Sequence, residues 1–136
     1  MHKKGSPEDM QQNPQYDNVV MEVLDFFIAK IEACKQAGIM DVIIDPGFGF
    51  GKNIEHNFSL LKKMQGLNML GKPILAGLSR KSTIYKTLHT TAQNALNGTT
   101  VLNTMALMNG ALILRVHDVK EAKEAATLFN VYKKAP

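Results

Sequence analysis

A second cysteine is missing from this 136-residue chain. Cys34 stands alone, so no internal disulfide can form and disulfide-stapled secreted frameworks are excluded. Its place on the apolar side of a helical pattern reads as a buried, inert thiol in a cytosolic protein. Long apolar runs are missing too. A stretch such as 111–114 is far too short to span a bilayer, so no membrane partner is expected. The opening Met1-His2-Lys3-Lys4 leads into Gly5-Ser6-Pro7 rather than an apolar segment, so no secretory leader is expected. The net charge is +4, but the lysines are interleaved with acids and no basic stripe alternates with aromatics. That pattern argues against nucleic acid as a partner, and the positive balance suits small anionic substrates. His2, His56 and His89 lack metal-ligand spacing and read as surface or loop residues.

What is present describes a folded α/β chain. Apolar residues make up 45% and charged ones 21%, the balance of a globular domain rather than a disordered segment. Residues 1–16 are polar, with Gly5, Pro7, Asn13 and Pro14, and read as a loop. Val20, Leu24, Phe27, Ile31 and Cys34 then recur at helical spacing until Gly38. Val42-Ile43-Ile44 reads as a strand buried on both faces. Asn53 is placed to cap a helix carrying Phe58, Leu61 and Met64, and residues 66–72 read as a loop. A second strand is expected at 73–77, with proline first. Helical signals follow Ser79 and return from about 92 to 109, and a third buried strand covers 111–116. Asp118 and Glu121 form a capping-box pattern for a last helix whose inner face is Val119, Ala122, Ala126 and Phe129. The alternation predicts parallel strands joined by helical crossovers.

Each expected strand runs into a chemically loaded segment. These are Asp45-Pro46-Gly47, then Gly77-Leu78-Ser79-Arg80-Lys81-Ser82, then Arg115-Val116-His117-Asp118. Ligands of parallel α/β folds bind at such strand ends, so all three are expected on one rim. Alone, Asp45 fits a strand terminus that starts a turn with Pro46. At a ligand mouth the same carboxylate can accept two hydrogen bonds from a guanidine-like ring edge, each contributing about 1.5–3 kcal/mol. The glycines of 45–52 would let backbone approach a flat ligand, with Phe48 and Phe50 as walls. That loop is no phosphate cradle: Pro46 stands where a P-loop needs glycine, and Gly51 comes one residue early for G-x-G-x-x-G. Residues 79–82 read either as an ordinary helix start with solvated charges or as an anion site of two cations and two hydroxyls. Arg115 and His117 lie two apart on a strand and share a face, which suits a phosphate-rich leaving group. For Asp118 a cap is favoured over catalysis. No nucleophile–base pair is evident.

Taken in order, Met1-His2, Asp45-Pro46-Gly47-Phe48-Gly49-Phe50-Gly51-Lys52, Ser79-Arg80-Lys81-Ser82 and Arg115-Val116-His117-Asp118 resemble the bacterial dihydropteroate synthases, the folate-pathway targets of sulfonamides. That family folds as an eight-stranded (β/α) TIM-type barrel, ordinarily about 250 residues long. The resemblance therefore implies that residues 1–136 are its C-terminal half-barrel, a fragment, with 1–16 as a loop at the N-terminus. It implies that Asp45 binds the amino-pyrimidine edge of a pterin and that Phe50 and Gly77 line that pocket. Lys81 would contact the pterin carbonyl and bound the aminobenzoate pocket, and Ser82 would hold the carboxylate of p-aminobenzoate. Arg115 and His117 would bind the diphosphate, and Met1 is counted with the substrate-binding residues. Lys81, Arg115 and His117 are the implied catalytic set. The implied reaction joins p-aminobenzoate to dihydropterin hydroxymethyl diphosphate, giving dihydropteroate and pyrophosphate. Mg2+ would assist, with its ligand in the missing half. An exposed half-barrel edge implies a homo-oligomer, a dimer being expected. Two other readings remain: a pterin-binding methyltransferase serving a corrinoid protein, and a non-catalytic anion- or pterin-binding module.

Overall fold

The computed structural model describes residues 1–5 and 14–136. Part of the expected 1–16 loop, residues 6–13, lies outside the described residues. Asn18 starts the first helix by accepting the N–H groups of Val20 and Met21 at 3.1 and 3.2 Å. α1 then runs Val19–Gln36. Its buried stripe is Val19, Val23 and Phe27, with Val20, Leu24 and Ile31 at the margin. The buried line is thus turned by about one position from the expected one, because α1 packs on the following helices along its Val19 side. Cys34 is consequently half-buried rather than buried.

Asn53 caps α2, Ile54–Lys63, through a reciprocal pair: its side chain accepts the His56 N–H at 2.7 Å while the His56 ring receives the Asn53 N–H at 3.4 Å. The expected loop after it is instead largely a 3₁₀ helix, Met64–Leu70. Met64 and Leu67, three apart, both point into the core there, which is the period of a 3₁₀ turn. β1 is Leu75–Ala76, α3 Ser82–Thr87, α4 Leu96–Met108, β2 Ile113–Leu114 and α5 Val119–Lys134.

β1 and β2 are parallel, pairing Leu75 with Ile113 and Ala76 with Leu114. Ile44 forms a parallel bridge to Ile74 on the other side of β1. The order across this small sheet is residue 44, β1, β2, and each step is joined by helices, as the alternation predicts. Regular pairing is shorter than the expected strands, though main-chain bonds continue it. The Arg115 N–H donates to the Ala76 carbonyl at 2.9 Å, and the His2 N–H donates to the Asp45 carbonyl at 2.9 Å. Burial on both faces does not hold throughout: Ile43 is 54% exposed and Leu112 72%, because no described residue covers those positions.

α5 also differs from expectation. Ala122 and Ala125 form its buried face, Val119 is exposed, and Ala126 and Phe129 are half-buried. Asp118 precedes the helix without a side-chain capping bond. Its carboxylate is taken by Arg80, a stronger charge-assisted partner than the helix N–H groups.

Candidate active site

Ile44 buries itself against Ile74, and that pairing delivers Asp45 to the end of the strand as a buried carboxylate. Oδ1 accepts the Gly47 N–H at 2.9 Å, which fixes the turn into the glycine loop. Oδ2 lies 3.1 Å from Nη2 of Arg115, just past β2. The guanidinium is off the hydrogen-bonding direction, so Oδ2 has an ionic neighbour but no hydrogen-bond donor. A buried acceptor without a donor is costly and calls for an explanation.

The glycine loop 47–51 is shaped mainly by the chain itself. A Cβ on Gly47 would sit 1.8 Å from the His2 carbonyl oxygen, and one on Gly51 would sit 2.2 Å from that of Lys4. Both have left-handed backbone, φ 72° and 63°. These glycines therefore admit the N-terminal segment rather than a flat ligand. Phe48 is fully buried in the core and is no wall, whereas Phe50 is half-buried.

Lys81 arrives from the second strand end. Its ammonium donates to the Phe48 carbonyl and lies 4.6 Å from the centre of the Phe50 ring. Burial lowers its pKa to about 8; the Asp45 carboxylate opposes that shift and the Arg115 charge adds to it. Asp45, Lys81 and Arg115 thus act on one another from three strand ends. Gly77 also belongs here, since a Cβ on it would come 2.8 Å from Nη2 of Arg115.

Sequence reasoning missed the support beneath. Lys52 is buried, and its ammonium meets Nδ1 of His2 at 2.9 Å, the Gly47 carbonyl at 3.1 Å and the Phe50 carbonyl at 3.2 Å. Burial lowers Lys52 to about 8, opposed by Asp45 and reinforced by Lys81. His2 is buried rather than at the surface, and burial followed by the Lys52 charge lowers it to about 4. Asn57 accepts the Gly49 N–H at 2.8 Å and clips the loop to α2. The one signal that could have found this platform is Lys52 itself, a charge closing a loop otherwise made of glycine, proline and phenylalanine.

At the third strand end His117 is exposed and is held by Ser79. Its Nδ1 lies 2.9 Å from Oγ of Ser79. Arg80 grips Asp118 with two hydrogen bonds, 2.9 and 2.8 Å, so it is committed to structure and is not a free cation of the anion cluster. That contact holds the Asp118 carboxyl below its ordinary range. Ser82 begins α3 and lines a polar cleft of about 730 Å³ with Lys52, Asn53, Asn57, Tyr85 and Lys86. Met1 is exposed. Among the described residues no His, Cys, Asp and Glu side chains gather as a metal site, and no helix is long and apolar enough to cross a membrane.

A sequence model of the pterin binding enzyme family matches residues 1–117, and the chain belongs to that family. The dihydropteroate synthase of Escherichia coli (strain K12) is 46% identical over 127 residues, covering 92% of this chain and 45% of that protein. The bifunctional dihydropteroate synthase/dihydropteroate reductase of Helicobacter pylori is 42% identical over 129 residues, covering 95% and 34%. Among solved structures, the Yersinia pestis dihydropteroate synthase with a sulfonamide drug complex matches at a TM-score of 0.96 and 40% identity, covering 99% of this chain and 50% of that one. The Xanthomonas albilineans synthase in complex with 7,8-dihydropteroate matches at 0.87 and 41%, covering 90% and 49%. The chain spans about half the length, or less, of the curated relatives it matches.

Proposed function

We propose that this chain is the C-terminal half-barrel of a dihydropteroate synthase, residues 1–136 forming part of one pterin-binding domain that a second half completes. The observation that carries the proposal is the meeting of Asp45, Lys81 and Arg115 around one buried carboxylate oxygen that has no hydrogen-bond donor. Asp45 would accept the amino-pyrimidine edge of the pterin at Oδ2. Arg115, whose side chain is 53% exposed, would then swing from Asp45 to the diphosphate beside His117. Lys81 would meet the pterin carbonyl and Phe50 the flat faces of the substrates. Ser82, in its polar cleft, would hold the p-aminobenzoate carboxylate.

The chemistry asks for electrostatics more than for a base. The bond from the pterin methylene to the diphosphate oxygen breaks, and its electron pair leaves with pyrophosphate. Arg115 stabilises that charge as it develops. The neutral arylamine nitrogen supplies the pair for the new C–N bond and afterwards sheds one proton to solvent. The magnesium implied by the resemblance does not fit the described residues: Asp45 is engaged by Gly47 and Arg115, and Asp118 by Arg80. Its ligands would lie in the missing half, and no step is assigned to it. A corrinoid-directed methyl carrier has no use for Arg115 beside His117. Titrating the chain with a pterin and with inorganic pyrophosphate tests the reading. Binding of both is expected, and binding of neither contradicts it.

A further inference from the structure

Ser79 and Arg80 are adjacent, and each holds one residue of the next strand-end loop. Ser79 is 4% exposed, and its Oγ accepts the His117 main-chain N–H at 3.2 Å while facing His117 Nδ1 at 2.9 Å. Arg80 has left-handed backbone, φ 52°, a conformation costly for a residue with a Cβ. Five hydrogen bonds hold it there: its N–H to Oγ1 of Thr99 at 3.0 Å, Nη1 to the Ala92 and Gln93 carbonyls at 2.9 and 2.5 Å, and the paired bonds to Asp118. The two loops are therefore clasped at consecutive residues, and the His117 ring stands against Ser79 at one nitrogen only.

The hydroxyl proton decides which nitrogen of the ring is protonated. If neutral His117 carried its proton on Nδ1, Oγ would accept twice and its own proton would need a further acceptor. Among the described residues Oγ has only His117 as partner. Pointing the hydroxyl at Nδ1 satisfies both groups. We propose that Ser79 is the positioning residue of the anion site: it donates to His117 Nδ1, keeps the ring proton on Nε2, and so makes neutral His117 a fixed donor to a phosphate-class oxygen. His117 is an exposed residue, so a ligand can reach it. A histidine bound this way offers the same N–H whether or not it is charged. The ligand class rests on the function proposed above; the tautomer does not.

The test uses the whole 136-residue chain with labelled histidines, its 4 ring systems separated by comparison with His117→Ala. Long-range proton–nitrogen spectra above the imidazole titration should show Nδ1 bare and Nε2 protonated, and Ser79→Ala should raise the share of the opposite tautomer. Inorganic pyrophosphate is then titrated across a double-mutant cycle. Ser79→Ala is expected to weaken binding about five- to tenfold when His117 is present, and almost not at all in the His117→Ala background. Ser79→Thr, which keeps the hydroxyl, should recover most of the loss. A proton on Nδ1 of neutral His117, or an equal loss from Ser79→Ala in both backgrounds, overturns the inference. If pyrophosphate fails to bind the parent chain, the functional reading falls, while the spectra still decide the tautomer.

Discussion

Asp45 has two oxygens in different situations, one satisfied by the Gly47 N–H and one facing Arg115 without a hydrogen bond. Asp45→Asn keeps the shape but removes the charge and one acceptor. It should weaken pterin binding by about 1.5–3 kcal/mol, roughly 10- to 150-fold, in a fluorescence titration; unchanged affinity would exclude Asp45 from the pocket. His2 sets an acid limit on stability. Its ring takes the Lys52 hydrogen bond on Nδ1 only when that nitrogen is bare, and its pKa is lowered to about 4. Between that value and the ordinary 6.5 the unfolded chain binds a proton that the folded chain does not, so stability falls as pH drops through this window. Melting curves should show lower stability at about pH 4.5 than at about pH 7, and His2→Gln should flatten most of that difference. Equal slopes for both chains would remove His2 from the explanation. Asp45, Lys81 and Arg115 could be singled out as candidates in the sequence because each lies within a few residues of the end of an apolar run. The pairing of His2 with Lys52 and of Ser79 with His117 was not legible there, because the partners lie 50 and 38 positions apart.

The glycine loop is the element on which the site depends. Lys52 supports it from below by joining the Gly47 and Phe50 carbonyls to His2. Lys52→Met would bury a similar volume but strand those acceptors, a cost of about 2–4 kcal/mol from two or more unmade bonds. Gly47→Ala should be at least as damaging, since its Cβ would run into the His2 carbonyl. Urea unfolding measures both, and a wild-type midpoint for either would show that the loop does not need this support. The helix starts at Asn18 and Asn53 were readable because capping is local, within three residues. The cap assigned to Asp118 failed because an arginine 38 positions earlier binds the carboxylate instead. The 3₁₀ helix Met64–Leu70 was hidden for a related reason: only the core it packs into distinguishes two buried residues from a loop.

At the scale of the molecule, the chain spans about 45% of the Escherichia coli protein it matches. Ile43 and Leu112 stand exposed beside the paired segments, and Leu128 and Tyr132 are exposed on α5. Apolar surface of that kind drives association. Size-exclusion chromatography of the isolated chain is expected to give a dimer or larger species, and a cooperatively melting monomer would argue against the half-barrel reading. The parallel α/β order was readable from the alternation of apolar runs. That the matched relatives are about twice as long was expected only from resemblance, because no property of one strand records how many others stand beside it. The most direct measurement mixes this chain with the N-terminal half of a matching synthase and follows dihydropteroate formation from p-aminobenzoate and the pterin diphosphate. Product should appear only in the mixture and should be lost with Asp45→Asn or Arg115→Ala. A complex that assembles, binds both substrates and yields no product would contradict the assignment.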